Sequence, residues 1–103
     1  MAERLQTLEK LVESGKAEAF AWYALAMEYR KLGRQKDALK TFEALRDQDR
    51  NYLPMYLMAG QMLLELDRAS EARPWLEQGI ELARAKGDGK ALGELESALG
   101  SVG

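Results

Sequence analysis

The sequence contains neither cysteine nor histidine. That excludes disulfide frameworks, thiolate and imidazole metal sites, and every catalytic scheme built on an imidazole, so neither an enzyme nor a cofactor or metal is expected. Proline occurs only twice, and little in the chain opposes helix. Long apolar runs are missing as well. The longest, Ala19 to Met27, has nine residues, against the roughly 20 that cross a bilayer. Residues 1–13 interleave leucine with charges of both signs and lack the basic start and apolar stretch of a secretory signal. No membrane partner is expected, and the location implied is cytoplasmic.

An excess of one charge is also lacking, with 15 basic residues against 17 acidic. Such a balance offers no sequence-wide attraction to nucleic acid, and no nucleic-acid partner is expected. One local band runs through Arg30, Lys31, Arg34, Lys36 and Lys40, opposed only by Asp37. A solvated turn, with cations favoured at a helix C-terminus, accounts for it more simply than a nucleic-acid surface does. The carboxylates Glu65, Asp67 and Glu71 likewise read as caps and solubilising charge, without a basic partner or metal site. What the chain does have is 47% hydrophobic and 31% charged residues over 103 positions, the composition of one small globular domain with a limited core.

The organising feature is a match of the chain with itself at an offset of 34 residues. Leu32 aligns with Leu66, Arg34 with Arg68, Ala38 with Ala72 and Glu43 with Glu77, and chemically similar pairs include Trp22 with Tyr56, Ala26 with Gly60 and Phe42 with Leu76. Each copy holds two helical stretches around a turn, at Gly33-Arg34 and at Asp67-Arg68, where glycine or aspartate suits a helix end. The first helices, Ala19 to Leu32 and Met55 to Leu66, are apolar on more than one face and belong in an inner layer. The second helices, Gln35 to Arg46 and Ser70 to Arg84, turn Ala38, Phe42 and Leu45, or Ala72, Leu76 and Ile80, inward and belong in an outer layer. With Ser70 as N-cap, Pro74 falls near the fourth helical position, where it costs little.

Two one-sided helices flank the copies. Leu5, Leu8, Leu11 and Val12 mark the first, opposite Arg4, Thr7, Glu9 and Lys10, and Leu92, Leu95, Leu99 and Val102 mark the second, after Gly87-Asp88-Gly89. Helices of this kind cap repeat arrays. The organisation expected is a single domain over 1–103, with a capping helix in 1–15, repeats in 19–52 and 53–86, and a closing helix in 89–102. Met1 and the caps suggest a complete chain.

The first copy reads Trp22-x-x-Leu25-Ala26-x-x-Tyr29 and then Ala38-x-x-x-Phe42, and the second keeps the spacing with Tyr56, Ala59, Gly60, Leu63, Ala72 and Leu76. This pattern resembles the tetratricopeptide repeat, in a small stand-alone protein of bacterial type. The resemblance implies an all-α, helical-hairpin repeat of about six helices, a right-handed solenoid with inner and outer layers. It departs from the pattern at Ala26, where glycine is usual, and at Arg50 and Arg84, where a proline usually closes the repeat. Small residues at Ala26 and Gly60 let the helices of a hairpin approach closely.

The resemblance further implies a protein or peptide partner held on the concave face of the inner helices. Beyond their core stripes these helices carry a second one, Phe20, Tyr23, Met27 and Arg30 on one and Leu57, Met58, Gln61 and Leu64 on the other. Apolar anchors with a few polar groups suit recognition. The partner-binding residues expected are Tyr23, Met27, Arg30, Leu57, Met58 and Gln61, with Phe20 and Leu64 assigned to the core. The same stripe would lose this role if the helix after Gly89 covered it. In one subset of the family, lysine and asparagine clamp a terminal carboxylate. Tyr23, Met27 and Met58 stand at those positions, which implies a largely apolar ligand instead. The alternative function is self-association into a homo-oligomer through stacking of repeats.

Overall fold

A computed structural model describes residues 2–102, and Met1, on which the expectation of a complete chain partly rested, lies outside them with Gly103. Among the described residues there are six helices and no strand, in the order α1 (Ala2–Glu13), α2 (Ala19–Lys31), α3 (Gln35–Gln48), α4 (Pro54–Glu65), α5 (Ala69–Lys86) and α6 (Gly89–Gly100). The all-α hairpin architecture is thus as the residues imply. The chain divides between Tyr52 and Leu53 into two compact units, the first holding α1 to α3 and the second α4 to α6.

In the first unit α2 packs against both α1 and α3. Its core joins Leu5 of α1, Leu25 and Ala26 of α2, and Ala38, Phe42 and Leu45 of α3, all buried. The turn after α2 closes by backbone bonds. Gly33 adopts φ +78°, its N–H donates to the Arg30 carbonyl at 3.0 Å, and the Arg34 N–H reaches back to the Tyr29 carbonyl at 2.9 Å. These two bonds satisfy carbonyls that a helix end leaves without partners.

The second unit repeats that turn with a different residue in the left-handed position. Asp67 has φ +58°, the Asp67 N–H donates to Leu64 at 3.1 Å, and the Arg68 N–H donates to Leu63 at 2.8 Å. Both turns carry the same side-chain brace. Arg34 Nε donates to Asp37 at 2.9 Å, and Arg68 donates through two nitrogens to Glu71 at 2.6 Å each. Glu71 therefore does have a basic partner, contrary to expectation, and the Arg68 hydrogen bonds hold its carboxyl below the usual range.

Within this unit α4, α5 and α6 pack on one another. Glycine sets the spacing. A Cβ at Gly60 would sit 2.7 Å from Leu76 Cγ, and one at Gly79 would sit 2.7 Å from Tyr56 Cβ and 2.8 Å from Leu95 Cδ2. Helix α5 begins at Ala69, with Arg68 at the N-cap. Ser70 is therefore not the cap, and Pro74 stands at the sixth helical position, where it deprives the Ser70 carbonyl of its intrahelical donor.

Candidate functional site

All six residues expected to meet a partner are half-buried, neither sealed in a core nor fully exposed. They lie on two helices in two units. On α2, Tyr23, Met27 and Arg30 recur at intervals of four and three residues and share one face. The Tyr23 ring is engaged within its own unit, 6.4 Å from the Phe42 ring and 5.4 Å from the Tyr52 ring, both tilted. Burial raises its phenol pKa, with Tyr52 adding to the effect and Arg30 opposing it. Tyr23 thus serves packing whatever else it does.

Phe20 corrects the expectation directly. It is 70% exposed, although it stands in the longest apolar run of the sequence. The only helices packed on α2 in this unit are α1 and α3, and neither covers it. A phenylalanine left in water at the start of the stripe extends the accessible face of α2.

On the second unit the stripe borders an open cleft. Between α4 and α6 lies a cavity of about 940 Å³, walled on one side by Gln61, Leu64 and Glu65 and on the other by residues that include Lys90, Gly93 and Ser97. Helix α6 packs against α5 and α4, yet it leaves Gln61 facing this space. Leu64, assigned to the core from sequence, is half-buried on the cleft wall. Leu57 and Met58 are not part of the lining, so the structure brings Gln61 to the cleft and leaves those two beside it on α4. Gly93 leaves room there, since a Cβ built on it would meet nothing within 4 Å.

Sequence reasoning missed how α1 is attached. Glu28 of α2 is only 7% exposed and receives Arg4 Nε at 3.2 Å. The Tyr29 hydroxyl donates to Glu9 at 2.5 Å, and the Arg34 guanidinium lies 4.7 Å from the centre of the Tyr29 ring. Desolvation first, then the hydrogen bond to Glu9, push the Tyr29 phenol up to about 12. The available signal was Glu28, the one carboxylate of α2, directly after its apolar run Ala19 to Met27. Among the described residues no cluster of acidic groups could hold a metal ion, and no helix is long and apolar enough to cross a membrane.

Comparison with known proteins agrees with the all-α repeat fold. The tetratricopeptide repeat family model matches residues 21–51 and 53–86. The crystal structure of a tetratricopeptide repeat domain protein from Salinibacter ruber is 38% identical, with a TM-score of 0.77 over 82% of this chain and 96% of that one. A solution structure of a tetratricopeptide repeat domain protein from the same organism gives the same identity and TM-score. A solution structure of a Bordetella parapertussis protein shares the fold at 23% identity, with a TM-score of 0.80 over 95% of this chain and 85% of that one. Among curated proteins there is no match.

Proposed function

The chain belongs to the tetratricopeptide repeat family, whose members are generally non-catalytic protein-interaction modules, and from that premise we propose that it is an adaptor binding a peptide or helix of a partner protein. The contacts we assign are Tyr23, Met27 and Arg30 on α2 and Leu57, Met58 and Gln61 on α4. The observation that carries this reading is the open cleft beside Gln61. The Gln61 amide and Ser97 hydroxyl can pair with a partner's backbone groups, while Leu64 offers apolar surface. Phe20, 70% exposed, adds a candidate anchor on α2.

The test is differential capture followed by titration with the purified captured protein. Gln61→Arg with Ser97→Arg fills the cleft and should abolish binding, while Met27→Ala should weaken it. Circular dichroism should show unchanged helix content in both. A partner held equally by wild type and the cleft variant would sink the reading. Tyr23→Ala is a poorer probe, because losing its contacts with Phe42 and Tyr52 should also lower stability. The alternative, self-association, predicts a molecular mass by light scattering that rises with concentration.

A further inference from the structure

We infer that the second unit carries another docking surface, the cleft between α5 and α6, and that its occupant is a basic amphipathic helix of another protein. The cleft has a volume of about 630 Å³ and is lined by Glu77, Ile80, Glu81 and Arg84 of α5 and by Glu96 and Leu99 of α6, among others. The α5 residues recur at intervals of three, one and three, a single helical face. Half-buried Leu99 provides the apolar surface, with the 7% exposed Ile80 at its floor, and three carboxylates stand around it.

Positive charge in the cleft is already committed. Arg84 is the one cation of the lining and lies 3.5 Å from Glu96. Glu77 has Arg73 at 3.9 Å along its own helix, and Glu81 has no ion-pair partner among the described residues. The surplus is acidic. It matches the wider field of this unit, where residues 53–103 hold five basic and eight acidic side chains. An occupant with Lys or Arg flanking an apolar stripe meets both features.

The backbone chemistry selects a helix. Two helix faces present side chains and no free main-chain donors, and the polar lining consists of carboxylates and one paired arginine. The carboxylates could accept from an extended peptide's N–H groups, but its C=O groups would find no donor besides the paired Arg84, whereas a helix satisfies its own. Rows of side chains on adjacent helices also form the kind of groove into which a third helix packs. A second copy of this chain fits poorly. Of the six helices only α2 carries more basic than acidic residues, and its two cations, Arg30 and Lys31, stand together in its last turn rather than along the helix.

The test uses the full chain and two fluorescein-labelled synthetic amphipathic peptides of about 18 residues, long enough to hold a helix on contact. One is built of Leu, Ala and Lys, and the other has Glu at every Lys. Saturable binding of the Lys peptide alone is expected, weakened about tenfold or more by Glu77→Lys with Glu81→Lys. Glu94→Lys with Ser97→Lys, in the cleft between α4 and α6, should leave it unchanged. All four substituted side chains are exposed, so helix content should hold. In the wild type, peptide addition should shift the methyl resonances of Ile80 and Leu99 and not those of Leu64. Absence of binding, equal binding of both peptides, equal loss in both variant pairs, shifts confined to Leu64, or a dimeric mass with Ile80 and Leu99 shielded would each overturn the inference.

Discussion

The two units answer one problem, how to fasten a third helix onto a hairpin, in opposite ways. In the first, α1 is held on α2 through two polar pairs, Arg4 with Glu28 and Glu9 with Tyr29, beside the buried Leu5. In the second, Leu95 of α6 is 1% exposed and its end lies against the place where a Gly79 side chain would begin. The position 34 residues before Gly79 is Leu45, which is itself fully buried. A matched repeat position therefore fixes where the backbone runs, while the neighbour that fills the space beside it is local to each unit.

Swapping that position should produce the largest effect. Gly79→Leu installs the first repeat's residue where the second has Tyr56 Cβ and Leu95 within contact distance of a Cβ alone. Overpacking of this kind should cost about 3 kcal/mol or more and displace α6. Urea unfolding followed by Trp75 fluorescence in a Trp22→Phe background reads it, because Trp75 is buried beside Tyr56 with ring centres 6.1 Å apart. A variant as stable as wild type would show that α6 is not seated by the absence of a side chain at this point.

The attachment of α1 should instead be sensitive to alkali. Tyr29 is the proton donor to Glu9, and its pKa in the fold is about 12 against an ordinary value of 10.0. Between those values the folded chain holds a proton that the unfolded chain has lost. The stabilisation is therefore fully present below pH 10 and is lost as pH rises towards 12. Discounted for solvent screening, it is on the order of 1 kcal/mol. Thermal melts across this range should fall more steeply for wild type than for Tyr29→Phe. Parallel curves would remove the Glu9 hydrogen bond from the account of how α1 is held.

Much of the architecture was legible because hairpin repeats write their geometry into short-range pattern. Apolar spacing marked the helices, Gly33 and Asp67 marked the turns, and the Ala26 and Gly60 pair marked close approach, as the Leu76 contact at Gly60 bears out. Phe20 and Gly79 were not legible, for one physical reason. Hydropathy records how much a residue gains from burial, and burial also requires a neighbour to arrive. Nothing in the run Ala19 to Met27 says that α1 and α3 leave Phe20 uncovered. Gly79 gains meaning only once Leu95 is known to come in over it. The polar pairs at Glu28 and Tyr29 were hidden similarly, since α1 alone shows Arg4 and Glu9 only as lying opposite its leucine stripe. The stripe around Gln61 was visible as periodicity, while the cleft beside it depends on where α6 lies.

The turns offer the gentlest comparison, because the backbone bonds are shared, an arginine-to-carboxylate brace recurs, and the residue in the left-handed position differs. Gly33 and Asp67 both occupy the left-handed region, at φ +78° and +58°, and both are followed by an arginine whose N–H closes the same bond. Left-handed backbone is strained for a side chain, less so for aspartate than for most residues, and glycine adopts it freely at some entropic cost in the unfolded chain. Asp67→Gly should accordingly stabilise the second unit by about 0.5 kcal/mol, and Gly33→Asp should destabilise the first by a similar amount. A Cβ at Gly33 would meet nothing within 4 Å, so the reverse substitution tests backbone strain free of any clash. Opposite shifts of similar size in urea midpoint would show that the two turns differ in conformational strain alone. If both substitutions destabilise, the Asp67 side chain contributes something in its turn that the shared hydrogen bonds and the Arg68 to Glu71 brace do not.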